Sequence, residues 1–101
     1  MRTLDEAQIK AKLLEHQPAL NRSGILHLRL FGSKARGDDT PESDVDLMAD
    51  FDREKRLTLF DVAGLEVELG EILKTRVELC DRQMLKEPVK ARADRESVLV
   101  F

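Results

Sequence analysis

Leu30-Phe31-Gly32-Ser33-Lys34-Ala35-Arg36-Gly37, followed by Ser43-Asp44-Val45-Asp46-Leu47, organises the rest of the chain around it. A Gly-Ser turn closes one apolar run. Ten residues separate Ser33 from Asp44. A second apolar run then opens on two aspartates at i and i+2. In a strand, Asp44 and Asp46 share one face, while Val45, Leu47 and Ala49 take the other. Two carboxylates side by side, with no cation between them in sequence, repel each other. A divalent metal relieves that repulsion, and the neighbouring Gly-Ser turn suits a polyphosphate. The pattern points to Mg-dependent chemistry on a nucleotide.

Each part of the pattern has a physical role. Gly32 has no Cβ, so backbone amides can approach a phosphate closely. Ser33 adds a hydroxyl donor. A helical turn starting near Lys34 would aim its free amides at the anion. Lys34 and Arg36 offset the charge of a triphosphate, and Arg36 can grip two oxygens at once. A third carboxylate usually completes a two-metal site. Glu78 is the first choice, between Val77 and Leu79 on the polar face of a short strand; Asp50, Glu42 and Asp81 compete for the role. Cys80 reads as a small core or half-buried residue. His16 and His27 read as surface or packing residues, and Asp50 to Arg56 as a solvated charge run.

Outward from this centre the periodicities assign the other elements. Ile25 to Phe31 alternates, with Leu26, Leu28 and Leu30 on one face and His27, Arg29 and Phe31 on the other. Gly37 to Ser43 is a turn-rich loop, short enough to make Asp44 to Phe51 an antiparallel partner. Upstream, Thr3 and Glu6 form the signature of a capping box. Ile9, Leu13 and His16 or Gln17 continue that helix, with Ala7 and Leu14 widening its stripe. Pro18 ends it or opens a short second helix. Downstream, Val62, Leu65, Leu69, Ile72 and Leu73 mark a helix across Leu57 to Lys74, weakened at Gly64 and Gly70. Arg76 to Cys80 is a third strand. Asp81 to Ala93 reads as a loop with helical pieces, interrupted at Pro88. Ser97 to Phe101 reads as a terminal strand or a partner-seeking tail. The order implies an α/β sandwich with one small mixed sheet.

Composition sets the outer limits. A chain of 101 residues is expected to form one domain, 1–101, and to bury about 65% of its unfolded surface. Without Trp or Tyr, its core must rest on Leu, Val, Ile and Ala. A net charge of −3 argues against direct nucleic-acid binding, which needs a clustered positive face. One cysteine excludes an internal disulfide and a cysteine-rich zinc site. Neither a secretory signal nor a membrane-length apolar run is visible, so the cytoplasm is the expected location.

Phe31-Gly32-Ser33-Lys34-Ala35-Arg36-Gly37 and Ser43-Asp44-Val45-Asp46-Leu47 resemble the signature of minimal nucleotidyltransferases (MNT proteins), within the DNA polymerase β-like nucleotidyltransferase superfamily. The resemblance extends through the helix at Leu57 to Lys74 and into Val77-Glu78-Leu79. It implies a small mixed β-sheet flanked by helices, with ATP and Mg²⁺ as cofactors. By position, Gly32 and Ser33 would hold the triphosphate, and Asp44 and Asp46 the metals. Glu78 falls where the family usually has an aspartate, as metal ligand or base; Lys34 stands where Arg is common. Stand-alone members are usually paired with a helical HEPN protein. In such pairs the HEPN protein is an RNase toxin, and the MNT antitoxin transfers AMP from ATP to a toxin tyrosine. A hetero-oligomer with such a toxin is the implied assembly. Two other readings remain. An antitoxin could neutralise by binding alone, with Glu78 marking a degraded site and Val98 to Phe101 extending a partner's surface. A nucleotidyltransferase could instead act on a small hydroxylated molecule.

Overall fold

The first helix opens at Asp5. The Asp5 carboxylate accepts from the Gln8 amide at 2.8 Å, and the Gln8 side chain accepts from the Asp5 amide at 3.0 Å. The capping box expected at Thr3 and Glu6 therefore sits two residues later, because Asp is as good a cap as Thr and Gln closes the box as well as Glu. The computed structural model describes residues 5–32 and 44–101, so Thr3 lies outside the described residues. Helix α1 (Glu6–Glu15) buries Ile9 and Leu13. Ala7 and Leu14 do not widen its stripe; both are exposed, having rotated off the face that meets the sheet. Pro18 stands in the first turn of α2 (Gln17–Arg22), where its missing N–H costs nothing.

Strand β1 (Ile25–Phe31) pairs antiparallel with β2 (Val45–Phe51). Ile25 opposes Phe51 and His27 opposes Asp50, which leaves Leu26 as the extra residue of a bulge. This corrects the simple alternation. Leu26 is 46% exposed, while Ile25, Leu28 and Leu30 are buried. Thr58 caps α3 (Leu59–Leu73), its hydroxyl accepting from the Asp61 amide at 3.2 Å. Leu65, Leu69 and Leu73 form the buried stripe, with Val62 and Ile72 packed beside them, as the periodicity requires. Helix α3 crosses over to β3 (Val77–Asp81), which lies parallel to β2.

Pro88 does not interrupt a helix but starts one. It occupies the first turn of α4 (Glu87–Glu96), the position that tolerates a missing amide. The chain ends on β4 (Val98–Leu99), paired antiparallel with β1. The Val100 amide donates to the Leu28 carbonyl at 2.8 Å, and the Leu28 amide donates to the Phe101 carbonyl at 3.2 Å. Val100 joins the core. The tail is thus an edge strand of this sheet and not a free segment.

The sheet order is β3-β2-β1-β4. One face packs on α1, α2 and α3 around Leu20, Leu28, Leu47, Leu69 and Leu79. The opposite face carries Asp46 and is the chemically interesting one. Among the described residues no helix is long and apolar enough to cross a membrane.

Candidate active site

The polar face of the sheet is laid out in rows by strand register. Asp46 of β2 lies between Phe31 of β1 and Glu78 of β3. In the next row Met48 lies between Arg29 and Cys80. Beyond it, Asp50 opposes His27. Asp46 and Glu78 are direct register partners on neighbouring strands, so their Cβ atoms stand about 5 Å apart on the same face. Asp44 directly precedes β2 and is partly exposed.

Gly32 ends β1 beside this pair. Its φ is +80°, in the region that disfavours side chains. A Cβ added there would run into the Asp46 carboxylate, 3.3 Å from its Cγ and closer still to one oxygen. The turn therefore needs glycine twice over, for its conformation and for its contact. That close approach puts the Gly32 backbone within reach of anything the Asp46 carboxylate holds. Ser33, Lys34, Arg36 and Glu42 lie outside the described residues.

The competing carboxylates have other occupations. Asp50 shares the Asp46 face, but its carboxylate accepts from Arg82 at 3.3 Å and is 17% exposed. Asp81 points away from Glu78 by strand alternation. It accepts from Arg53 at 3.2 Å and from the Gln83 amide at 3.0 Å. Asp50 and Asp81 serve the scaffold, and Glu78 is the carboxylate that β3 sets beside Asp46. Among the described residues no three His, Cys, Asp or Glu side chains group around one point.

Four features of this face escape a reading of the sequence. Met48 is fully buried on it and floors the site. Arg82 forks onto Asp94 of α4, with Nε at 2.7 Å from one oxygen and Nη2 at 2.6 Å from the other. Its remaining nitrogen reaches Asp50. Arg29 donates to the Ser97 hydroxyl at 3.3 Å. These bonds tie α4 and its end to the site face, although α4 buries no residue of its own. The hydrogen bond to Arg82 lowers the Asp94 pKa, and the pairing raises that of Arg82. The only advance signal was Asp50 standing four residues after Asp46, hence on the same face. The expected solvated run Asp50 to Arg56 begins inside β2; only from Arg53 is it an exposed turn. Burial first, then the Asp81 and Asp46 carboxylates, raise the Cys80 thiol pKa, which favours its protonated form. His16 and His27 are exposed, as expected.

The donor set suits a hard cation. Asp46 and Glu78 offer carboxylate oxygens on one face, next to a glycine cradle that a Cβ would fill. One or two carboxylates plus substrate phosphates suffice for Mg²⁺, which keeps several of its waters. Residues 7–100 match the model of the nucleotidyltransferase domain. The chain belongs to the nucleotidyltransferase domain family. It is 36% identical over 101 residues to the protein adenylyltransferase MntA of Thermococcus cleftensis, covering 99% of this chain and 98% of that protein. A solved structure of a candidate minimal nucleotidyltransferase superposes with a TM-score of 0.80 at 29% identity, covering 94% of this chain and 95% of the other. A toxin–antitoxin structure solved with AMP-PNP has the same fold, with a TM-score of 0.73 at 18% identity over 91% of this chain and 72% of the other. The nucleotidyltransferase therefore carries a polymerase β-like minimal fold: a four-stranded mixed sheet that sets Asp46 beside Glu78.

Proposed function

We propose that this nucleotidyltransferase transfers AMP from ATP to a hydroxyl, a tyrosine, of a cognate HEPN RNase toxin, and so acts as its antitoxin. The observation that carries the reading is the closure of Gly32 onto Asp46 with Glu78 alongside. It gathers phosphate-binding backbone and hard oxygen ligands at one point. The similarity to MntA, named a protein adenylyltransferase, supports a protein acceptor. The toxin as partner follows the resemblance in the motif; the toxin–antitoxin structure adds the fold alone.

In this reading Gly32 and Ser33 cradle the triphosphate, and Lys34 and Arg36 offset its charge. Asp44, Asp46 and Glu78 would hold Mg²⁺. When bound, the ion neutralises phosphate charge and helps align the attacking and leaving oxygens. The acceptor oxygen attacks the α-phosphorus, the bond to the β-phosphate oxygen breaks, and pyrophosphate leaves. The hydroxyl proton passes to a base, and Glu78 would serve either as that base or as a metal ligand. The work left to the protein is positioning and charge, which a small rigid sheet supplies.

Intact-mass analysis of the partner after incubation with this protein, ATP and Mg²⁺ tests the reading. The expected result is a gain of one or more AMP units, lost with Asp46→Asn while the circular-dichroism spectrum is kept. A stable complex and demonstrated ATP binding with no mass gain would overturn transfer in favour of neutralisation by binding. In that alternative the C-terminal segment would act as an edge strand already paired with β1, not as a free tail.

A further inference from the structure

The outer face of α3 carries an exposed apolar stripe. Phe60, Ala63 and Val67 follow one another at i, i+3 and i+7, which places them on one stripe opposite Leu65 and Leu69. Leu59 borders that stripe. Leu59 is 87% exposed, Phe60 89% and Val67 61%. Scattered surface leucines are ordinary, but a contiguous stripe with a phenylalanine at its head marks a protein contact. A Cβ at neighbouring Gly64 would meet nothing within 4 Å, so another backbone can come close there.

Charge decides what covers the stripe. Every ionisable residue of α3 is acidic: Asp61, Glu66, Glu68 and Glu71. On a helical projection Glu68 lies along one side of the stripe and Glu66 along the other, while Glu71, one turn after Val67, closes its C-terminal end. Glu66 already accepts from the Leu79 amide at 2.9 Å. A second copy of the same helix would set carboxylates against carboxylates. An anionic lipid surface would meet the same repulsion. We propose that the α3 face docks an amphipathic helix of a partner protein whose apolar stripe is flanked by Lys or Arg. Phe60 and Val67 supply the buried anchors, and the carboxylates along the stripe pair with the partner's cations. The surface is independent of the nucleotide chemistry, which lies across the sheet from it.

The test uses the full chain and two synthetic helical peptides with one Leu/Ala stripe, flanked by lysines in one and by glutamates in the other. Fluorescence anisotropy reads affinity, and amide shift mapping reads location. The lysine peptide is expected to bind at residues 59–71, and Phe60→Glu is expected to weaken it about tenfold or more while the melting temperature holds. Equal binding of both peptides, shifts away from α3, or no binding of either would overturn the proposal. So would self-association that Phe60→Glu abolishes, which would assign the face to a second copy instead.

Discussion

Gly32 carries two structural obligations at the site. Its left-handed φ and its contact with Asp46 both exclude a side chain. Gly32→Ala should cost about 1–2 kcal/mol of stability. AMP transfer should fall further, by about 100-fold, because the Asp46 carboxylate must move. Urea denaturation reads the first effect and single-turnover AMP transfer the second; equal small losses in both would show that the turn does not position the site. Gly32 and Asp46 were legible as neighbours in sequence because a strand, a Gly-Ser turn and a second strand put them at the same end of a hairpin. What spacing did not show is that Gly32 touches Asp46. That contact depends on how tightly β1 and β2 pair at the end where the connecting segment joins them. Glu78 was legible as a polar-face residue of a strand, but its place beside Asp46 follows from parallel register alone.

At the scale of elements, the helix α4 is held by polar bonds more than by burial. The fork from Arg82 to Asp94 is bidentate and about a quarter to a third exposed, so its contribution is about 1 kcal/mol. The Asp94 pKa is lowered in the fold from its ordinary 3.8, first by the hydrogen bond to Arg82. A lowered carboxylate stabilises the fold above its unfolded value and loses that effect as pH falls through the folded value. Asp94→Asn should therefore be less stable than wild type at pH 7 by about 1 kcal/mol, and the gap should close at an acid pH below the folded value. Urea titrations of both proteins at the two pH values check this; a gap that persists in acid would refute the pairing. Amphipathic stripes in α1 and α3 were readable because 3.6-residue periodicity is a local property. The bulge at Leu26 and the helix beginning at Pro88 were not. A bulge is a property of two paired strands, and proline allows either a stop or a start until the flanking chain chooses.

The whole molecule depends on its last residues to close the sheet. Val98 and Leu99 pair with β1, and Val100 enters the core. Removing residues 98–101 should cost about 2–4 kcal/mol by losing the burial of Val100 and the edge hydrogen bonds. The denaturation midpoint measures it, and an unchanged midpoint would mean that the strand is ornamental. By itself the sequence determined the α/β class, the antiparallel hairpin, the helical crossover and the candidate Gly-Ser and Asp-x-Asp chemistry. These rest on periodicity, turn residues and charge, all of which act over a few neighbours. Only the tertiary structure decided which carboxylate stands beside Asp46, and that Arg82 claims Asp50 and Asp94. It also decided that the C-terminal tail belongs to the sheet, and that the outer stripe of α3 is left uncovered. Each of these joins residues far apart in the chain. Strand register and packing bring them together, and no local pattern encodes that distance.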